Sequence, residues 1–354
     1  MKKNVVYVLG AGFSAPVGIP VMRDFVDKAR QFRRDRNEYS YFDQVIKLIQ
    51  QTVSTSRYFR HDSDNIEEAL SLIEMRENIE GPNQKDVVIK FIGDVITLST
   101  PEVPNIPPGL VPSNFWSEFF TRDQIWQGYL SFVASLFHMD FHRSTEYKER
   151  GLRVQMKDSD VTYSVVTLNY DMLLEKSFEF IAKSFIWDVP PKVKFMRQLQ
   201  DSPQARSVDL VKIHGSVDTS DIIPPTFNKG LYGSELPKAW RNAYDILIRA
   251  NEIRIIGYSL PQTDSYIKYL LMASVDKFKD LDRIDWIVRD SNGAVSKRIS
   301  DFISFKNIAV SKSDVKEYLK NIFAHTVNSQ QKVQINDHLV FDKLEVAHRD
   351  FCGR

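Results

Sequence analysis

The apolar run Val5-Val6-Tyr7-Val8-Leu9 passes straight into Gly10-Ala11-Gly12-Phe13-Ser14-Ala15-Pro16-Val17-Gly18-Ile19-Pro20. A short unbroken apolar run is the pattern of a strand buried on both faces of a parallel sheet. Glycines directly after it let backbone N–H groups approach a phosphate where a Cβ would collide. The block therefore predicts an α/β fold and a nucleotide or dinucleotide ligand. Gly10, Gly12 and Ala15 meet the G-x-G-x-x-G/A spacing, but the acidic residue expected about 20 residues later on a second strand tip is missing. From Met22 to Arg36 the chain is charged and helical in pattern, so Asp27 and Asp35 are poor ribose ligands. Other segments must hold the ribose.

Three later blocks supply such segments. Thr167-Leu168-Asn169-Tyr170-Asp171 follows the strand-like Tyr163–Val166, Lys212-Ile213-His214-Gly215-Ser216 follows Val208–Val211, and Gly257-Tyr258-Ser259-Leu260-Pro261-Gln262-Thr263-Asp264 follows Ile253–Ile256. Asn169 and Asp171 suit a ligand site or, equally, a strand-end turn and helix cap. His214 ends a predicted strand beside Gly215, which marks it as the general-base candidate, against a histidine satisfied by core hydrogen bonds. Ser14 suits a phosphate or ribose oxygen, and Asp264 a helix cap.

In this order the four blocks resemble the NAD-binding core of the sirtuin family from Val5 to about Asp290, with residues 24–160 matching by position only. The resemblance implies catalytic roles for Asn169, holding the nicotinamide ribose and a water, for His214 as base, and for Asp171, positioning the carboxamide. It assigns NAD contacts to Gly10, Ala11, Gly12, Phe13, Ser14, Pro20, Arg23, Gly257, Ser259 and Asp290. Where sirtuins carry G-I-P-D-F-R, this chain has Gly18-Ile19-Pro20-Val21-Met22-Arg23. The phenylalanine that shields the reactive ribose from water in the deacylases is lost, which favours hydrolysis unless Phe13 or Met22 stands in. Deacylating sirtuins also carry a four-cysteine zinc ribbon. This chain has a single cysteine, Cys352, so no metal is expected.

The zinc-free, helix-inserted subset of the family is similar to prokaryotic antiphage effectors that deplete NAD, and the segment Ile222-Ile223-Pro224-Pro225-Thr226-Phe227-Asn228-Lys229 shares in that likeness. The implied activity is an NAD glycohydrolase yielding nicotinamide and ADP-ribose, with NAD as substrate. The implied setting is a homo-oligomer under a control partner, a HerA-type ATPase. Two alternatives stand beside it: a catalytically silent NAD or ADP-ribose sensor or scaffold, and an NAD-dependent protein deacylase or ADP-ribosyl transferase.

A chain of 354 residues exceeds what one growing core accommodates, so a main domain with a second lobe is expected. The expected division is a Rossmann-like parallel sheet with helices on both faces from residues 1–23 and 160–310, a large α-helical insert lobe from 24–159, and a C-terminal segment from 311–354. The insert shows apolar residues at i, i+3, i+4 and i+7 around Phe42–Ile49 and Ile66–Ile73, then further helices from Lys85 and from Phe115 to Asp140. On the last of these, His138 and His142 read as helix surface rather than a metal pair. From Val161 onward β-branched runs alternate with helices. The 47 basic and 46 acidic residues give no electrostatic basis for nucleic-acid binding. No apolar run is long enough to span a membrane and the opening MKKNVVYVLG leaves no room for a signal segment, so a cytoplasmic protein is expected. The apolar end of the chain, including Leu344 and Val346, must pack against its own body or a neighbour.

Overall fold

The computed structural model describes residues 2–52, 66–81, 84–102, 124–143, 152–187, 195–196, 207–219, 221–223, 235–261, 264–275, 280–326, 338–340 and 343–353. Strand β1 (Lys3–Leu9) is followed by helices α1 (Phe25–Asp35), α2 (Tyr41–Thr52), α3 (Ile66–Glu80), α4 (Lys85–Ser99) and α5 (Gln124–Leu136). Strands β2 (Met139–Arg143), β3 (Leu152–Met156) and β4 (Val161–Thr167) lead to α6 (Leu173–Ser184), β5 (Ile186–Trp187), β6 (Phe195–Met196) and β7 (Val208–Lys212). A short hairpin of β8 (Gly215–Ser216) and β9 (Asp221–Ile222) precedes α7 (Glu235–Leu247), β10 (Glu252–Ile256), α8 (Ser265–Val275) and β11 (Arg283–Ile287). The chain closes with α9 (Ala294–Phe302), β12 (Ile308–Ser311), α10 (Val315–Thr326), β13 (His338–Val340) and α11 (Leu344–Phe351).

Seven strands form one parallel sheet in the order β12-β11-β10-β1-β4-β7-β6. Successive side chains of a strand face opposite ways, and β1 shows the consequence. Val5, Tyr7 and Leu9 join a core built with α5, α6, α10 and α11, while Val6 and Val8 join one built with α7, α8 and α9. This is the expected Rossmann-like sheet with helices on both faces. A third core, including Phe25, Phe42, Phe91, Val95 and Ile96, knits α1 to α4 into the helical insert. Tyr170 and Ile222 belong to that third core, so the insert packs directly on the loops at the carboxyl ends of the sheet strands.

The sequence reading carried a helix through Asp140, but α5 stops at Leu136 and Met139–Arg143 is a strand in a second sheet of order β13-β2-β3-β5. The signal lay in Phe137, Met139 and Phe141, which alternate with His138 and Asp140 at the strand period and are all buried. His138 turns the chain with φ 50°, so His138 and His142 share no helix face. The proline-rich stretch after Pro101, the aromatics Trp116 to Phe120 and the segment Pro224–Lys229 lie outside the described residues, Pro101 and Glu102 apart.

Of the apolar residues near the end of the chain, Leu344 packs on the body of the protein while Val346 is exposed. Leu344 and Ala347 of α11 enter the core beneath β1, and Glu345 receives Arg254 at 2.8 Å and Lys3 at 3.3 Å. Arg254, fully buried in the middle of β10, also donates to the Tyr7 hydroxyl at 2.8 Å. These bonds and one to Glu252 meet the two Nη groups of the buried guanidinium, while its Nε has no partner among the described residues.

Candidate functional site

β10, β1, β4 and β7 are neighbours in the sheet, and the four motif loops leave their carboxyl ends side by side. Ligands of open parallel sheets bind at that edge, where the strand order reverses. Here the four loops and the insert enclose a cleft with about 1110 Å³ of non-protein space, part of it open to solvent. Ala11, Ser14, Pro20, Asn169, Asp171, His214, Gly257 and Ser259 all line it.

The glycines act differently from the sequence reading. Gly10 N–H donates to the Ile256 carbonyl and Gly12 N–H to the Gly257 carbonyl, each at 2.9 Å, so neither is held for a phosphate. Their missing side chains instead let two loops touch. A Cβ on Gly12 would sit 2.8 Å from the Gly257 carbonyl oxygen, and one on Gly257, whose φ is +68°, would sit 2.2 Å from the Phe13 nitrogen. Gly10 and Gly12 are therefore absent from the cleft lining, while Ala11 and Gly257 belong to it.

A buried polar chain runs beneath the cleft. Asn169 Nδ2 donates to the Gly10 carbonyl and to Ser14 Oγ, each at 3.0 Å. Ser14 Oγ donates in turn to Asp171 Oδ2 at 2.7 Å, and Asp171 Oδ1 accepts the Leu173 N–H at 3.0 Å. Asp171 thus combines the turn role open to it from sequence with a bond into the glycine loop. Both amide protons of Asn169 are engaged, which leaves its carbonyl oxygen as the acceptor it can offer. Burial, with the Asp171 charge adding to it, holds the Tyr129 phenol well above its usual pKa. That hydroxyl stays a donor, and it holds the Phe13 carbonyl at 2.6 Å.

His214 is buried, with Nδ1 3.1 Å from the Leu168 carbonyl. A carbonyl only accepts, so Nδ1 carries the proton and the neutral ring has its basic lone pair on Nε2. Tyr170 and Trp240 flank the imidazole at centroid distances of 6.1 and 6.4 Å. On the loop that follows β10 Leu260 holds φ at 51°, a left-handed conformation that costs a non-glycine residue about 1–2 kcal/mol. The adjoining Tyr258 hydroxyl donates to Asp264 at 2.8 Å, and Asp264 receives the Ile267 N–H at the start of α8.

Opposite this polar floor stand Met22, from the segment after the glycine loop, and Phe25, Ile66, Leu70, Ile92 and Ile96 of the insert. None of these was among the candidate ligands. Their helical periodicity marked them as apolar, but nothing in the sequence said which helix end would face the motif loops.

Besides Gly10 and Gly12, three further candidates lie away from the lining. Phe13 is buried against Tyr129 and Phe132 and cannot shield a sugar in the cleft, whereas Met22 is on the wall. Arg23 is exposed outside the lining. Asp290 accepts the Ser296 hydroxyl and the N–H groups of Val295 and Ser296 at the start of α9, and the Ser296 bonds hold its carboxyl down to about 2. The resemblance gives Asp290 an NAD contact, and in this structure its carboxylate is bonded to the start of α9.

Among the described residues one group of metal-ligating atoms comes together outside the cleft. Asp285, His348 and Cys352 offer donors within 4.8 Å of one another. Arg283 already pairs with Asp285 at 2.7 Å and Tyr318 bonds His348 at 2.9 Å. Burial pushes the Cys352 thiol up to about 12, which opposes the thiolate a metal needs.

The described residues include no helix long and apolar enough to cross a membrane. A comparison with curated proteins finds no match. Among solved structures, Sir2 in complex with the inhibitor EX-527, 2'-O-acetyl-ADP-ribose and a deacetylated p53 peptide is similar at 12% identity, over 92% of this chain and 94% of that one, with a TM-score of 0.34. A Sir2–p53 peptide–NAD+ structure is similar at 12% identity, over 92% and 93%, with a TM-score of 0.30. Scores this low carry no argument about the cleft. Residues 163–311, which bring three of the four motif loops, match the family model described as SIR2-like domain.

Proposed function

We propose that this protein is an NAD-consuming enzyme that breaks the nicotinamide–ribose bond and passes the ADP-ribosyl group to water. The observation that carries the reading is the meeting of Ser14, Asn169, Asp171 and His214, from three adjacent strand ends, in one cleft. The SIR2-like domain supports the NAD-using chemistry common to its family. The C1'–N1 bond breaks heterolytically with its electron pair going to nitrogen, and nicotinamide leaves neutral. Water oxygen bonds C1', and its proton passes to His214 Nε2. The Asn169 carbonyl oxygen orients that water or the ribose hydroxyls, and the Asp171 carboxylate holds the glycine loop through Ser14. The apolar insert wall favours departure, because a pyridinium cation is less stable beside Phe25, Ile92 and Ile96 than the neutral base that replaces it.

Water as acceptor is supported by the single cysteine, which leaves no four-thiolate ribbon, and by Met22 where sirtuins carry the shielding phenylalanine. A second acceptor is an acylated lysine, making the protein a deacylase. The SIR2-like domain match supports that reading, and the apolar wall suits an acyl chain. The wider proposal, by resemblance, includes antiphage NAD depletion, a homo-oligomer and a HerA-type ATPase partner.

One experiment separates the readings. The purified protein is incubated with NAD alone and with NAD plus an acetyl-lysine peptide, and nicotinamide is quantified for wild type and His214→Ala. Hydrolysis predicts release without peptide and its loss in His214→Ala. Release that requires peptide and yields O-acetyl-ADP-ribose establishes the deacylase, and saturable binding without release establishes the silent sensor.

A further inference from the structure

We infer that Lys212 is a positioning residue for the bond-breaking step, a role that rests on the reading above. Lys212 ends β7, with Thr167 as its neighbour on β4. Its side chain is only 5% exposed. The ammonium donates to the Asp171 carbonyl and, at 3.0 Å, to Glu175 Oε1, and lies 3.5 Å from Met172 Sδ. Burying an ion pair costs about as much as its attraction returns. Stability alone therefore gives little reason to place a lysine here.

Its bonds give a geometric reason instead. The Asp171 carbonyl that Lys212 grips belongs to the residue whose carboxylate anchors Ser14, and Ser14 anchors Asn169. Two residues beyond Lys212 comes His214. On the far side of that histidine the Ser216 hydroxyl bonds Met172 Sδ at 3.3 Å and the Val217 N–H bonds the Tyr170 carbonyl at 3.0 Å. The segment carrying the base thus holds the segment carrying Asn169 before and after the imidazole. Lys212 supplies the only charged donor in that grip among the described residues. It sets the distance between base and amide without touching the substrate.

The test compares wild type, Lys212→Met and Lys212→Met/Glu175→Gln for nicotinamide release, KM for NAD and thermal midpoint. Lys212→Met strands the Glu175 charge and lowers the midpoint; the double variant removes that charge and restores it. If Lys212 positions the loop, kcat stays down by about 10²-fold in both variants while KM moves little, the scale expected for a small misplacement of reacting groups. A double variant with wild-type kcat overturns the assignment. So does one that stays unstable with activity tracking its folded fraction. A wild type that releases no nicotinamide with or without peptide overturns the underlying reading instead.

Discussion

The Ser14 hydroxyl donates to the Asp171 carboxylate at 2.7 Å while accepting the Asn169 amide at 3.0 Å, so one buried oxygen ties the glycine loop to both polar residues of the β4 loop. Ser14→Ala leaves a carboxylate oxygen and an amide proton without partners, at a cost of about 1–3 kcal/mol. The midpoint of urea unfolding drops accordingly. Turnover of NAD falls by about 10²-fold, because both groups lose their common anchor. Ser14→Thr keeps the hydroxyl and recovers part of both losses.

Gly257 and Gly18 both have positive φ but differ in what surrounds them. A methyl group on Gly257 meets the Phe13 nitrogen at 2.2 Å and the Gly12 carbonyl carbon at 2.5 Å, whereas one on Gly18 finds only Lys28 Nζ at 3.9 Å. Gly18→Ala therefore costs only backbone strain, about 1 kcal/mol, and retains NAD binding. Gly257→Ala forces the two loops apart, and calorimetry of NAD binding shows affinity reduced at least about tenfold.

These loops mark the boundary of what the sequence discloses. Val5–Leu9 is readable as a buried parallel strand because an uninterrupted apolar run has few other homes, and Ile253, Ile255 and Ile256 read as a strand despite Arg254 between them. Their order was not readable, and that order is what makes the Gly12 and Gly257 loops touch. The glycine spacing is legible, but it does not say whether a phosphate or a neighbouring backbone fills the space a Cβ would take. Asp290 shows a related ambiguity, because its carboxylate bonds the start of α9 and spacing alone does not disclose that partner. Arg254 was invisible as a core residue, because its partners Tyr7 and Glu345 stand 247 and 91 residues away in the chain.

Acid weakens the attachment of α11 in two stages. Burial and then the Arg254 charge push His348 down from 6.5 to about 4, against the pull of Asp285. The unfolded chain takes up this proton first, so stability is complete above about pH 6.5 and falls as pH drops to about 4, by about 3 kcal/mol. Burial tends to raise the Glu345 carboxyl, but Arg254, Lys3 and the Tyr163 hydroxyl overrule it and hold it at about 2. Its contribution is present above about pH 4.5 and fades toward pH 2. Urea midpoints measured from pH 7 to 4 decline for wild type, and His348→Gln, which keeps a hydrogen-bonding group without the titration, flattens the upper part of that decline.

Met22 gives the sharpest test of water as acceptor. It lies on the cleft wall at the position where the sirtuin pattern has a phenylalanine, and Phe13 is buried elsewhere. After C1'–N1 cleavage the ADP-ribosyl group is open either to water or to the returning nicotinamide, and the wall beside C1' decides between them. Met22→Phe adds a rigid ring that excludes water but leaves the nicotinamide space intact. Incubation with NAD and labelled nicotinamide measures both outcomes in one vessel: hydrolysis as ADP-ribose, return as label in NAD. The ratio of hydrolysis to exchange falls about tenfold in Met22→Phe, the effect of removing roughly 1.4 kcal/mol of access for water. An unchanged ratio places the water on another side of the sugar and removes Met22 from the argument for hydrolysis.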